Sequence, residues 1–393
     1  MFAAKGCEVA DEAEADLVFV NTCAVTGKAE AKSRKLLRRL AQAHPGRVIA
    51  AGCYAQAKTS ELTKLGDFRL ILGTGEKGEA LKALAEPAGQ KVYVAERPQG
   101  QFLTAAGYRF HSRAFIKIQD GCSHKCAYCI VPLLRGASVS LNADEVIRQV
   151  KKALADKPRE IVLTGVDIGS YRQQDLDLAG LLEKLTALDE VVRIRLSSVE
   201  PMDFNDRLVE VCASSSKICP HFHIPLQSGS TEVLQGINRP YTSEEYLELT
   251  GELAELIPYV RIGADVVAGL PGEGDTQFAE TCALIEKSPL THLHIFPFSP
   301  RPGTEFDAEA DIIPYPVKVR RAQELQKLGA EKNLAFIAGQ KGKIRQVFFE
   351  DCGEGFTDNY IRIKLDDDTV RGFHFVRIGG KLPAGKSVQG FLV

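Results

Sequence analysis

The chain has 393 residues, 45% of them hydrophobic and 25% charged, with a net charge of −2. This suits two or three folded domains with substantial cores, and no run of about 18 apolar residues proposes a membrane span. The N-terminus lacks the basic, apolar, small-residue order of a signal peptide, so the expected compartment is the cytoplasm.

The chain opens on Met1–Lys5, which reads as the last turn of a helix capped by Gly6. A strand follows at Leu17–Val20, then Asn21-Thr22-Cys23, a basic helix at about 28–43, and a strand at Val48–Ala51 leading to Gly52-Cys53. A third apolar run, Leu70–Leu72, completes an open α/β domain over 1–85, with Cys23 and Cys53 just past strand C-termini, the edge where parallel sheets place ligands. The Gly-, Pro- and polar-rich stretch 86–112 reads as a linker. From 113 to 338, strands at Phe115–Ile118, Glu160–Thr164, Arg193–Ser197, His221–Pro225, Arg261–Val267 and His292–Phe296 alternate with helical stretches. Six such βα units predict a partial barrel, short of the eight strands that close one. The segment 339–393 carries short β-like runs at Ile344–Phe349, Tyr360–Leu365 and Phe373–Ile378, which predict a small antiparallel β-barrel. No repeat array or low-complexity tract is present.

Ten cysteines in a long chain without a secretion signal point to metal binding or catalysis more than to disulfides. Cys212, Cys219, Cys282 and Cys352 are scattered and read as ordinary thiols. The sharpest signal is Cys122-x3-Cys126-x2-Cys129, directly after the first strand of the repeating region. Three thiolates this close can hold three irons of a cubane and leave the fourth open to a small molecule. Structural zinc is the competing reading, but closed zinc sites take four ligands and only His124 is at hand.

A C-x3-C-x2-C loop after the first strand of a partial βα barrel resembles the radical S-adenosylmethionine superfamily. That resemblance implies a [4Fe-4S] cluster on Cys122, Cys126 and Cys129, whose open iron chelates S-adenosylmethionine. It also implies cofactor-binding roles at the strand ends, for Gly165, Asp167, Ser198, Glu200, Gln227, Arg239 and Asp265, with Tyr128 in the cysteine loop. Gly165 would let the backbone approach the cofactor closely. Any one of these stretches alone reads equally as turn chemistry.

Asn21-Thr22-Cys23, Ala51-Gly52-Cys53-Tyr54, Gln227-Ser228-Gly229-Ser230 with Asn238-Arg239, and Ser299-Pro300-Arg301-Pro302-Gly303-Thr304 together resemble the methylthiotransferases. The resemblance spans essentially the whole chain and implies a second [4Fe-4S] cluster at Cys23 and Cys53 and a C-terminal TRAM-like RNA-binding barrel. It further implies tRNA as partner, with an electron donor and a sulfur donor of unspecified identity. Residues 21–34 are most similar to the group that acts on threonylcarbamoyl-adenosine; isopentenyl-adenosine in tRNA and a ribosomal-protein aspartate are the alternative substrates. A non-catalytic iron–sulfur or zinc RNA-binding protein is the alternative of another class.

Lys28, Lys32, Lys35 and Arg39 recur at helical spacing after Cys23, a candidate phosphate-gripping face or a solvated surface. The family carries three cysteines on its auxiliary cluster, the first on a strand preceding the first helix. Cys7 lies only 16 residues before Cys23, too close for an intervening helix and strand. It reads as an ordinary position in a chain whose start is truncated, so the second cluster is expected to be incomplete in this form. Arg172 and Phe298 stand where relatives often carry Gly and Tyr.

Overall fold

The computed structural model describes residues 6–81, 89–96, 98–99, 102, 113–155, 157, 159–307, 313–350, 353–381 and 387–393. The helical turn expected at Met1–Lys5 and the thiol of Cys352 lie outside the described residues. Two compact units emerge: Met1–Ala106, Asp120–Val139 and Ser299–Asp311 form one, and Gly107–Gln119, Ser140–Phe298 and Ile312–Val393 the other.

In the first unit, β1 (Val18–Thr22) feeds α1 (Gly27–Ala43), whose Thr26 cap accepts a hydrogen bond from Ala29 N and whose Leu37, Leu40 and Ala41 face inward. β2 (Val48–Gly52), α2 (Cys53–Ala57), α3 (Thr59–Leu65), β3 (Leu70–Leu72) and β4 (Lys91–Tyr93) complete a four-stranded parallel sheet in the order β1-β2-β3-β4. β2 is buried along its whole length, as a central strand covered on both faces must be. β4 lies inside the stretch expected to be a linker. Three residues show no readable alternation, and the ladder to β3 makes them a strand.

The cysteine loop, which lies within the 113–338 segment in sequence, packs in this unit. Ile130 and Leu134 are buried in one core with Val20, Leu37, Tyr54 and Leu62. Apolar burial, which is blind to chain order, places the loop.

The second unit begins with β5 (Ala114–Lys117) and continues, after helix α4 (Val131–Arg135) of the first unit, through α5 (Ala143–Leu154), β6 (Glu160–Thr164), α6 (Leu178–Thr186), β7 (Arg193–Leu196), α7 (Asp206–Ser214), β8 (His221–His223), α8 (Thr231–Gly236), α9 (Ser243–Leu256), β9 (Arg261–Ala268), α10 (Asp275–Lys287) and β10 (Leu290–Pro297). The strands form two parallel ladders, β7-β6-β5 and β8-β9-β10, joined by the bridges Ile194↔Ile218 and Ser198↔His223. This is the partial (βα)6 barrel that the six alternating strands and helices predict.

Helix α11 (Tyr315–Gln340) leads to β11 (Ile344–Phe349), β12 (Glu354–Thr357), β13 (Arg362–Lys364), β14 (Gly372–Lys381) and β15 (Val388–Leu392), which close a barrel in the order β11-β12-β13-β15-β14. The barrel is not wholly antiparallel, because β13 and β15 run parallel. Five strands closed in a ring cannot alternate direction all the way round, so one neighbouring pair must be parallel. Its core holds Val347, Phe349, Ile363, Val376, Ile378 and Val388.

This small barrel is fixed to the base of the βα barrel by buried charge. Glu160, at the start of β6, receives Arg193 and Arg195 from β7, with Arg195 Nε at 2.9 Å. The same guanidiniums donate to the small barrel's backbone: Arg193 to Gln346 O and Phe356 O, and Arg195 to Thr357 O and Asp358 O, at 3.0–3.1 Å. Burial works to raise the Glu160 pKa, yet Arg195 and Arg193 outweigh it and hold the carboxyl at about 2. Among the described residues no helix is long and apolar enough to cross a membrane.

Candidate active site

In the first unit the parallel register pairs Thr22 with Gly52, so Cys23 and Cys53 are the next residues on two adjacent strands, at the same sheet edge. Thr22 Oγ1 ties the strands there, donating to Ala51 O at 2.7 Å and accepting from Ala55 N at 3.3 Å. Cys53 is buried at the start of α2, whereas Cys23 is exposed. Ser33 on α1 clasps the Cys23 backbone, accepting from its N–H at 3.1 Å and donating to its carbonyl at 2.9 Å. Cys7 lies exposed in a segment preceding β1.

Cys122, Cys126 and Cys129 sit half-exposed in a loop without regular secondary structure. Its ends cross closely: Cys122 N donates to Gly136 O at 3.0 Å. Both crossing points need glycine. Gly121 (φ +72°) and Gly136 (φ +79°) are left-handed, and a Cβ on either would stand 2.1 Å from a carbonyl oxygen, of Ala137 and Pro98 respectively.

The Ser299–Thr304 motif is tied to α1, and the chain just after it to the Cys122–Cys129 loop. Ser299 Oγ accepts from Gly27 N at 3.3 Å, Arg301 pairs with Glu30 on α1, and Phe306 N donates to Ala127 O at 2.9 Å, between Cys126 and Cys129. Sequence reading singled out this motif but neither its partner Glu30 nor the Ser33 that holds Cys23, whose spacing on α1 carries no signal of its own.

In the second unit Asp167, Ser198, Glu200 and Gln227 follow the C-terminal ends of β6, β7 and β8, whereas Asp265 lies within β9 and Arg239 between α8 and α9. Gln119 Oε1 accepts from Val166 N at 2.9 Å and from Asp167 N at 2.8 Å, shaping the turn after β6. A Cβ on Gly165 would meet Gln119 O at 2.9 Å, so protein packing by itself already calls for glycine there. Glu200 pairs with the buried Arg239 at 2.9 Å. Ser198 Oγ lies 2.8 Å from His223 Nδ1, and His223 Nε2 lies 3.1 Å from Asp265 Oδ1. Burial pushes the neighbouring His292 down to about 3 and lowers His294 as well.

Gln227 is held at φ +62°, a strained conformation for a non-glycine residue, by its N–H on Asp265 O and its carbonyl on Val267 N. The loop bearing it is braced by two tyrosines absent from the sequence reading. Tyr246 OH donates to Ile224 O at 2.8 Å, and Tyr241 OH reaches Pro225 O and Leu226 O at 3.2 Å.

On α1, Lys28, Lys32 and Lys35 are exposed. Arg39, expected among them as an anion-binding group, is engaged by Glu12 through two hydrogen bonds of 2.6 and 2.9 Å.

A partial parallel barrel whose first strand runs into a three-cysteine loop, with a polar C-terminal rim, defines a radical S-adenosylmethionine enzyme with an iron–sulfur cluster. In agreement, the Radical SAM superfamily matches residues 116–285, and residues 1–73 match the family described as "Uncharacterized protein family UPF0004". The threonylcarbamoyladenosine tRNA methylthiotransferase MtaB of Aquifex aeolicus is 34% identical over 93% of this chain and 91% of its own length. The MtaB of Bacillus subtilis is 32% identical over 92% and 85%. The tRNA-2-methylthio-N(6)-dimethylallyladenosine synthase of Endomicrobium trichonymphae is 31% identical over 90% and 85%. Among solved structures, the radical S-adenosylmethionine methyltransferase TsrM of Kitasatospora setae shares the fold, with a TM-score of 0.57 and 16% identity over 76% of this chain and 67% of that one. The chain belongs to the radical S-adenosylmethionine tRNA methylthiotransferase family.

Proposed function

We propose that this enzyme places a methylthio group on C2 of N6-threonylcarbamoyladenosine beside the anticodon of tRNA. The observation that carries this reading is the match to MtaB of Aquifex aeolicus along 91% of its length. Isopentenyl-adenosine, the substrate class of the Endomicrobium relative, is the competing target.

Cys122, Cys126 and Cys129 would hold the [4Fe-4S] cluster of the radical chemistry. The donor set fits: three thiols, half-exposed, on a loop closed by the Cys122–Gly136 hydrogen bond. With S-adenosylmethionine bound, such a cluster supplies one-electron cleavage of the sulfonium to a 5′-deoxyadenosyl radical. Asp167, Ser198, Glu200, Gln227, Arg239 and Asp265 on the rim would bind the cofactor's polar groups, Arg239 and Glu200 as a fixed ion pair. Tyr128, between Cys126 and Cys129, would pack on the cofactor.

Cys23 and Cys53 would hold a second cluster, the source of the transferred sulfur. Their adjacency at one sheet edge and the double clasp of Ser33 on Cys23 support this. Lys28, Lys32 and Lys35 would meet tRNA phosphates, and the terminal barrel would carry the rest of the RNA. An electron donor and a sulfur donor from outside the chain complete the requirement.

The test is anaerobic turnover with tRNA bearing either modified adenosine, read by mass spectrometry of the nucleosides. Methylthiolation confined to threonylcarbamoyladenosine is expected; product on isopentenyladenosine instead would overturn the substrate assignment. Replacing Cys23 and Cys53 by Ala should abolish thiolation and leave 5′-deoxyadenosine production intact.

A further inference from the structure

Four histidines stand on the outer strands of the β8-β9-β10 ladder, His221 and His223 on β8, His292 and His294 on β10. Within each strand the two are separated by one residue, so both side chains point to the same face. The rings lean across β9 and meet over it, with centroids 6.0 Å apart for His221 and His292 and 5.5 Å apart for His223 and His294. Strand β9 makes room at Gly263, where a Cβ would stand 2.1 Å from the His292 ring. His221 is buried with neither ring nitrogen hydrogen-bonded, and His292 Nδ1 is likewise unbonded, as suits rings that serve by packing.

His223 differs, because a polar side chain stands beside each of its ring nitrogens. Ser198 Oγ, just after β7, lies 2.8 Å from Nδ1. Asp265 Oδ1, on β9, lies 3.1 Å from Nε2, within ion-pair range though not aligned as a hydrogen bond. The backbone makes the same connection: Val199 N donates to His223 O at 3.0 Å, and Ile224 N to Gly263 O at 2.8 Å. A carboxylate only accepts, so the nitrogen facing Asp265 is the one that carries the ring hydrogen. Nδ1 is then an acceptor, and the Ser198 hydroxyl donates to it. With its hydrogen so engaged, Ser198 has only lone pairs left to offer, as does Asp265.

We propose that His223 is a positioning residue for the cofactor: it fixes Ser198 and Asp265 as a pair of acceptors for hydrogen-bond-donating groups of S-adenosylmethionine. This rests on the reading of Ser198 and Asp265 as cofactor-binding groups given above. Without the imidazole, the Ser198 hydroxyl turns freely and Asp265 loses the N–H dipole that faces it, so the cost falls on binding. A role confined to packing would be met by any ring of similar size.

The test uses the full chain, reconstituted anaerobically, as wild type, His223→Gln, His223→Asn, His223→Phe, Asp265→Ala, Ser198→Ala and the double variant His223→Asn/Asp265→Ala. Readouts are the Kd for S-adenosylmethionine by equilibrium dialysis, KM and kcat for 5′-deoxyadenosine production, and iron content. Asn places its amide where Nδ1 was and Gln places one near Nε2, so only Gln keeps a donor toward Asp265. His223→Asn and His223→Phe are expected to bind the cofactor about 10-fold more weakly, with KM rising in step and kcat and iron nearly unchanged. His223→Gln should recover most of the affinity. In the Asp265→Ala background, His223→Asn should add almost nothing, because that contact is already gone.

Wild-type affinity in His223→Asn and His223→Phe would overturn the proposal, as would an equal loss in His223→Gln and His223→Asn or an additive loss in the double variant. If Asp265→Ala and Ser198→Ala both bind the cofactor like the wild type, the cofactor-binding reading of those two residues fails instead, and that result is distinct from the others.

Discussion

Replacing Glu160 by Gln removes one charge and almost no volume from the junction that holds the terminal barrel, leaving Arg193 and Arg195 buried without their counter-ion. Moving the carboxyl's pKa from 4.5 to about 2 corresponds to about 3 kcal/mol, at ~1.4 kcal/mol per pKa unit. This is the same order as the ~3–5 kcal/mol cost of breaking a buried ion pair. The variant is therefore expected to unfold about 3 kcal/mol more easily at pH 7, seen as a lower urea midpoint with an unchanged slope. The pH dependence carries the sign. The carboxyl is more acidic folded than unfolded, so its contribution is complete above the unfolded value near ~4.5 and is lost as pH falls toward 2. The gap between wild type and Glu160→Gln should stay constant from pH 7 to 5 and narrow below pH ~4.5. A gap under about 1 kcal/mol, or one that does not change with pH, would refute the reasoning.

Replacing Lys28, Lys32 and Lys35 together by Ala should weaken tRNA binding and flatten its logarithmic salt dependence by about 2–3, measured by filter binding across salt concentrations. Arg39→Ala should change that slope less, because Glu12 already holds its guanidinium; an equal change would count against the assignment. Burial pushes the thiols of Cys212 and Cys219 up to about 12, so neither should react with iodoacetamide at pH 8 in the folded protein. Peptide mass spectrometry showing either alkylated as fast as the exposed Cys7 would contradict their placement.

Much of this molecule is local and was legible along the chain. The spacing Cys122-x3-Cys126-x2-Cys129 is a property of a single loop, and the six strands of the βα barrel announce themselves by short apolar runs separated by amphipathic helices. The edge position of Cys23 and Cys53 also follows locally, because each comes directly after a strand.

What the tertiary structure alone decided are pairings between residues distant in sequence. The cysteine loop sits in the first unit because Ile130 and Leu134 are buried with Val20 and Tyr54, and burial of apolar surface has no memory of sequence distance. The same holds for β4, a strand only through its ladder to β3, and for the parallel β13–β15 pair that ring closure demands. Glu160, Arg193 and Arg195 look like ordinary strand charges until the fold brings the backbone of the terminal barrel against them. Arg135 looks like one more basic residue until Asp120 is found at its end. Local spacing determines which residues can do chemistry; long-range packing determines which of them meet.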